Sequence, residues 1–255
     1  MKFLLFFLTC LTAAAQPLTL NDPVQFMQPA STPASTAVTP TNLTGFSASS
    51  WWCVSSNYVT NGAVVWSTNL VNGAGWHWKN SGFEFNRPVR VAAGVNGLDY
   101  IAFTAANNTR ILATNYSVSQ PFDVAVVARV NAASGTSYFF EGGITWWQQN
   151  KINKFDAGTT VSGRTNSNTG WMVFHFKYNG ANSVCYTNNV QDMAGNVGAN
   201  AINNLCFGGV GPDSGTSHSS TYDLAEVAVF SSNLDATART ELFSAWTNKY
   251  AISLP

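Results

Sequence analysis

From Leu43 onward, short apolar runs alternate with clusters of Gly, Asn and Ser. The runs are Trp51-Trp52-Cys53-Val54, Ala63-Val64-Val65-Trp66, Tyr100-Ile101-Ala102-Phe103, 122–130, Tyr138-Phe139-Phe140, 170–178, 183–186 and Leu205-Cys206-Phe207. Many short strands punctuated by turn residues predict an all-β sandwich or jelly roll. The stretch Val124-Ala125-Val126-Val127-Ala128 has no polar position, which predicts a central strand covered on both faces. The pattern changes near the end of the chain. Residues 223–230 read as a buried strand and Ser231-Ser232-Asn233 as a turn. Asp235 then stands at an N-cap, where its carboxylate can accept a free backbone N–H of the first helical turn. Ala238, Leu242, Trp246 and Tyr250 recur every four residues, with Phe243 beside them, so the predicted helix has one apolar face. It is expected to close the sandwich as a lid or seam. No internal repeat is present.

The first residues follow a different rule. Met1-Lys2 supplies a positive start, 3–11 is apolar, and Ala13-Ala14-Ala15 offers small residues for cleavage before Gln16. This is the pattern of a secretory signal, too short to span a bilayer as a stable helix. Residues 28–42 (QPASTPASTAVTPTN) carry no charge and too little apolar area for a core, and read as an extended spacer. The expected organisation is a signal peptide over 1–15, a Pro/Ser/Thr-rich linker or arm over 16–42, and one jelly-roll domain over 43–255. The expected destination is outside the cytoplasm: secreted, periplasmic or at the cell surface.

Composition narrows the partners. Hydrophobic residues make up 45% of the chain, enough for one large core, but only 9% of residues are charged against a typical quarter. Twelve basic and twelve acidic residues cancel, so nothing steers the chain to nucleic acid or an anionic membrane. A neutral surface rich in hydroxyls and amides suits neutral polymers or copies of itself. Cleavage before Gln16 would leave Cys53, Cys185 and Cys206. In an oxidising environment Cys185 and Cys206 could bridge neighbouring strands; the alternative is three buried thiols, and an odd count leaves one unpaired in either case. No Cys-x-x-Cys or Cys/His cluster suggests a metal.

Several segments resemble a known superfamily. Trp171-Met172-Val173-Phe174-His175-Phe176-Lys177-Tyr178-Asn179-Gly180, followed by Val184-Cys185-Tyr186-Thr187-Asn188, resembles the W-x-x-V…Y-N-G…L-Y-V-N-G hairpin of laminin-G-like, concanavalin A-like jelly rolls. Leu205-Cys206-Phe207-Gly208-Gly209 is similar to the L-x-I-G-G strand that follows it. Leu224-Ala225-Glu226-Val227 through Lys249-Tyr250-Ala251-Ile252 is similar to the I-A-E-V…K-Y-G-I ending of bacterial members. Asn86-Arg87-Pro88 and Pro121-Phe122-Asp123-Val124 match earlier landmarks. The segments span 51–252 in the right order. The resemblance implies a two-sheet antiparallel jelly-roll sandwich with one C-terminal α-helix. One departure is Ala238, where a capping-box acid would stand.

Catalytic patterns known on this fold are not matched. Its glycoside hydrolases carry E-x-D-x-x-E on one strand, where alternate residues share a face. Here no Glu-x-Asp or Glu-x-Glu occurs, and Asp223 and Glu226, three apart, fall on opposite faces unless a bulge intervenes. Arg239-Thr240-Glu241-Leu242 copies an alginate-lyase motif but lies in the predicted helix. His175, flanked by Phe174 and Phe176, reads as a core or edge histidine, and His77 and His218 have no evident partner. No enzyme is expected. Calcium occurs in many relatives, but Asp213 and Asp223 are too few to specify a site, and no cofactor is expected. Asn42, Asn107 and Asn115 fit N-x-S/T sequons.

Aromatics remain as the functional signal. Nine tryptophans include the clusters Trp51-Trp52, Trp76-His77-Trp78 and Trp146-Trp147. Adjacent strand residues point to opposite faces, so each pair sends one indole away from the core. An outward indole stacks on a sugar ring or is covered by a loop or helix; Trp76, Trp78, Trp146 and Trp147 are the candidate ligand-binding residues. The first functional reading is a secreted, non-catalytic module binding a carbohydrate or cell-surface ligand in adhesion or recognition. The second is a self-assembling surface, fibre or virion component. A divergent polysaccharide hydrolase or lyase stands third.

Overall fold

The long apolar runs become the longest strands, paired in two antiparallel sheets that pack face to face with one helix outside. The computed structural model describes residues 37–54, 59–60, 63–64, 66–68, 75–77, 88–107, 109–113, 116–130, 136–149, 151–165, 168–209 and 220–253. In chain order the strands begin with β1 (Ser50–Cys53), β2 (Val59–Thr60), β3 (Ala63–Val64), β4 (Trp66–Thr68), β5 (Gly75–His77), β6 (Val89–Val95) and β7 (Leu98–Phe103). They continue with β8 (Ile111–Leu112), β9 (Ser117–Val118), β10 (Phe122–Val130), β11 (Thr136–Glu141), β12 (Thr145–Gln149), β13 (Ile152–Asp156) and β14 (Thr160–Thr165). The last are β15 (Trp171–Tyr178), β16 (Ser183–Thr187), β17 (Val190–Gly195), β18 (Ile202–Asn203), β19 (Cys206–Phe207) and β20 (Tyr222–Phe230), followed by helix α1 (Ala236–Tyr250). The larger sheet runs β17-β16-β15-β10-β20-β7-β6-β3-β2, with β1 also paired to β20. The second runs β14-β13-β12-β11-β19-β8-β5-β4, and β9 with β18 forms a separate ribbon. The expected sandwich with its C-terminal helix is therefore present, with the ribbon as an addition.

Two cores share the central strands. Between the sheets, Phe122, Val124, Val126, Trp146, Phe174 and Phe176 are all fully buried. On the other face of the larger sheet, Ala125, Val127, Val173 and Ala228 lie under Leu242, Phe243 and Trp246 of α1. This explains why 124–128 lacks polar residues: both faces are covered. Each large side chain removed from water contributes roughly 1.5–3 kcal/mol before ordering costs. The Tyr222 hydroxyl donates to the Phe139 carbonyl at 2.7 Å, a cross-link between the sheets. Gly208 explains its own motif: its φ is +96°, and a Cβ would meet the Thr109 carbonyl oxygen at 2.3 Å.

Helix α1 is tied at both ends. At its start, the Asp235 side chain accepts the Ala238 N–H at 2.8 Å, the predicted cap. Just before it, the buried Asp123 carboxylate accepts from the Leu234 N–H (2.8 Å) and Asn233 Nδ2 (2.6 Å), and meets His175 Nε2 at 2.7 Å. At the far end, buried Glu226 meets Lys249 Nζ at 2.6 Å and accepts from the Tyr250 hydroxyl and Trp51 Nε1, both at 2.5 Å. Burial and the Glu226 carboxylate push the Tyr250 hydroxyl far up, so it stays a donor.

Three expectations change. Cys185 lies on β16 of the larger sheet and Cys206 on β19 of the second, and both are free thiols, as is Cys53. The proposed bridge does not form because the two segments belong to opposite layers. Burial pushes the Cys206 thiol up to about 12 and the Cys185 thiol well above its ordinary value. The arm expected over 16–42 ends inside the folded body: the Ala48 N–H donates to the Pro40 carbonyl at 2.7 Å, and Asn42 Nδ2 donates to the Ala37 carbonyl at 3.0 Å. The expected signal and most of the arm lie outside the described residues. Finally, β6, β13, β14 and β17 were not among the predicted strands; their larger apolar residues are interrupted by polar or small ones and form no long run.

Two measurements check these features. Asp123→Ala leaves the buried Leu234 N–H without its acceptor and the buried His175 Nε2 without its partner, and is expected to lower stability by about 3–5 kcal/mol in urea unfolding. Peptide mapping after Ellman's reagent at pH 8 is expected to find Cys185 and Cys206 unmodified in the native protein and modified after unfolding, because both thiols stay protonated and buried.

Candidate functional site

The two sheets differ in what covers their outer faces. Helix α1 occupies that of the larger sheet, whereas the corner β11–β14 of the second has outward side chains that are only partly buried. Alternation along these strands sends Tyr138, Trp147 and Lys154 outward, and strand register sets them side by side: Tyr138 opposite Trp147, Trp147 opposite Lys154, Lys154 opposite Ser162. The Tyr138 and Trp147 rings are near parallel, at 11° with centroids 5.4 Å apart. Lys154 Nζ sits 4.5 Å from the Trp147 ring centroid and donates to Gln149 Oε1 at 2.8 Å. The indole thus stands between a phenol and an ammonium in a cross-strand ladder. Burial, helped by Glu141 and Asp156, pushes the Tyr138 hydroxyl up, so it remains neutral. Thr145, opposite Asp156, continues the polar surface.

The same strands carry the inner side of a second feature. Where β14 of one sheet approaches β17 of the other, the sandwich opens in a cleft of about 150 Å³ whose lining includes Asn153, Arg164, Thr187, Val190, Gln191 and Asp192. Gln148 Nε2 donates to Asn153 Oδ1 at 2.8 Å, and Asn153 Nδ2 to Asp192 Oδ2 at 3.3 Å. The Arg164 backbone N–H donates to Asp192 Oδ1 at 3.0 Å, which fixes the carboxylate at the cleft wall. Trp147 and Gln148, like Lys154 and Asn153, are chain neighbours on opposite faces, so one corner presents both features.

The four tryptophan candidates separate. Trp147 is half-buried on the outer face. Trp146 points inward and is fully buried against Phe139, Phe140, Phe174 and Phe176, with centroids 4.4–5.8 Å away; it is a core residue and not a ligand contact. Trp76 lies on β5, and its side chain, like the whole of Trp78, is outside the described residues. In the other pair, Trp52 enters the inter-sheet core and Trp51 turns toward the helix, where it meets Glu226. Tyr138, Lys154, Asn153 and Asp192 were not singled out in the sequence. For Asn153 and Lys154 the alternation in Ile152-Asn153-Lys154-Phe155-Asp156 was the available signal.

The acidic candidates are committed elsewhere. The register of β20 against β10 shifts after Val127, so Ala225 forms a bulge. Asp223 and Glu226 therefore both face the helix side, contrary to the simple alternation. Asp223 pairs with Arg129 at 2.6 Å, and that guanidinium also lies 5.4 Å from the Trp171 ring. Glu226 is sealed beneath Lys249, Tyr250 and Trp51, beside a cavity of about 660 Å³ between α1 and Ala37–Pro40. Glu241 of the lyase-like motif lies on α1 and accepts from the Thr44 backbone at 2.7 Å. His175 is the buried partner of Asp123; the His77 side chain and His218 lie outside the described residues. Among the described residues no group of three His, Cys, Asp or Glu could hold a metal ion. No helix among them is long and apolar enough to cross a membrane.

No family model matches the sequence, and no curated protein matches it. Solved structures do. The ligand-binding domain of botulinum neurotoxin serotype D, in complex with N-acetylneuraminic acid, superposes with a TM-score of 0.53 at 9% identity, over 77% of this chain and 50% of that one. Trypanosoma rangeli sialidase in complex with sialic acid superposes with a TM-score of 0.51 at 15% identity, over 82% of this chain and 36% of that one. The chain thus spans about half the length of the first and about a third of the second. At these identities the likeness is one of fold: a β-sandwich of the kind found in these sugar-complexed proteins.

Proposed function

We propose that this is an exported, non-catalytic, laminin-G-like module that binds neutral glycans through the β11–β14 corner of its second sheet. The observation that carries the reading is the Tyr138–Trp147–Lys154 ladder, a partly exposed aromatic row among Thr, Gln and carboxylate side chains. Indole faces pack against the C–H faces of sugar rings, while the surrounding amides, hydroxyls and carboxylates exchange hydrogen bonds with sugar hydroxyls. Lys154 is the displaceable partner of that ring. An exposed cation–π contact is worth about 0.5–1 kcal/mol, so a sugar ring can take its place at small cost. Glu141 and Asp156, which act on the Tyr138 hydroxyl, favour a neutral ligand over an acidic one. Recognition without turnover is supported by Asp123 and Glu226, the two most deeply buried acids of the larger sheet, being held entirely by protein donors. The neighbours' complexes, with an acidic sugar, support sugar binding on this kind of fold but not the preference for a neutral one, and export rests on the N-terminal pattern.

Glycan-array and calorimetric binding test it. Trp147→Ala is expected to weaken binding by about thirtyfold, as for a hot-spot aromatic, while Lys154→Ala, which uncovers the ring, stays within about threefold of wild type or binds more tightly. Unchanged binding in Trp147→Ala, or silence across a broad array of neutral glycans, would overturn the reading. So would release of reducing or unsaturated ends from a polysaccharide.

A further inference from the structure

The cavity between α1 and Ala37–Pro40 lies on the helix side of the larger sheet, away from the Trp147 ladder. At about 660 Å³ it falls within the range of roughly 300–1,000 Å³ that small-molecule sites occupy. Much of its wall is apolar: Val38 and Pro40 on one side, Ala245 of α1 on the other, and the half-buried Trp51 indole. Val38 is 45% exposed, apolar area that an occupant would take out of water. A few polar groups converge on the same space. Glu226 accepts from Trp51 Nε1 and the Tyr250 hydroxyl and meets Lys249 Nζ at 2.6 Å, so carboxylate and ammonium cancel. The ammonium carries three N–H groups. Glu226 takes one, and Cys53 Sγ, 3.3 Å away, takes a second. The third is left for an acceptor, and the Lys249 side chain is 33% exposed. Burial works against its charge, but Glu226 and Cys53 more than offset this, so Lys249 stays a donor. Glu241 at the cavity wall accepts from the Thr44 backbone and hydroxyl. An anion would meet Glu226 and Glu241, and a cation would meet Lys249; the lining favours an uncharged occupant.

We propose that this cavity binds an uncharged, largely apolar small molecule that carries one acceptor oxygen, as an ester or an alcohol does. The apolar body lies against Val38, Pro40, Ala245 and Trp51, and the oxygen accepts the remaining N–H of Lys249. The site is separate from the ladder around Trp147 and stands whether or not that ladder binds glycans.

Titration of the full chain with Nile red, an uncharged dye that brightens in apolar surroundings, tests the assignment when followed by displacement with matched molecules. Methyl octanoate and octanol are expected to displace the dye. Octanoate and octylammonium are expected to need concentrations about tenfold higher or more, since each brings a charge the lining does not compensate. The carbonyl infrared band of bound methyl octanoate is expected below its frequency in hexane, as for a hydrogen-bonded ester. Ala245→Phe places a ring in the cavity from the surface of α1. It is expected to weaken the dye and the ester by about tenfold or more, with the melting temperature unchanged. Val38→Ser, on the facing wall, is expected to weaken them by about threefold through lost apolar contact. If the wild-type chain binds no dye, or both variants leave its affinity unchanged, the proposal falls. It falls equally if the charged molecules displace the dye as well as the neutral ones, or if the carbonyl band stays at its hexane frequency. If sedimentation shows a dimer that Ala245→Phe dissociates, a second copy fills the cavity and the proposal falls.

Discussion

The sandwich depends on one helix docked over strands that are apolar on both faces. β10 and β20 are buried along almost their whole length, so the face of the larger sheet away from the core needs a second cover. Helix α1 supplies it, and a buried carboxylate holds each of its ends: Asp123 at the turn before it and Glu226 at its last turn. Buried charges persist in proteins only when paired and hydrogen-bonded. Both acids meet that condition with donors drawn from distant parts of the chain. Their oxygens are spent on holding the helix.

Docking the helix on one sheet makes the two outer faces unequal. On the larger sheet, Ala125, Val127 and Ala228 are the small residues that let α1 approach. On the second, Tyr138, Trp147 and Lys154 form a ladder whose members lend one another partial cover. The polar mouth between β14 and β17 lies at the same corner because edge strands have one side without a sheet neighbour. A partly exposed aromatic ladder on one face of the second sheet and closure on the opposite side of the molecule are then two consequences of one asymmetry.

Legibility in the sequence followed burial. The helix, its Asp235 cap and the strands β10, β15 and β20 were readable because apolar periodicity reports a continuous covered surface. β14 and β17 were not readable, since edge strands such as Thr160-Val161-Ser162-Gly163-Arg164-Thr165 bury little and resemble loops in composition, and in β13 the alternation spans only five residues. Those are the strands that shape the cleft. In Trp146-Trp147 the alternation required one indole inside and one outside, without saying which. Cys185 and Cys206 looked like neighbours on adjacent strands, and the sheet order placed them in separate layers.

What the chain determined locally was therefore its periodicity: which stretches extend, where the last helix starts and which of its faces is apolar. Each depends on residues within a few positions of one another. Which group meets which was decided by the tertiary structure. The bulge at Ala225 turned Asp223 and Glu226 to one side, and only the folded chain brought Arg129 to the first and Lys249 to the second. Sheet register set Lys154 beside Trp147, and the approach of two edge strands set Asp192 beside Asn153. Such pairings are made through strand register and layer packing across long stretches of chain, and local periodicity carries no record of them.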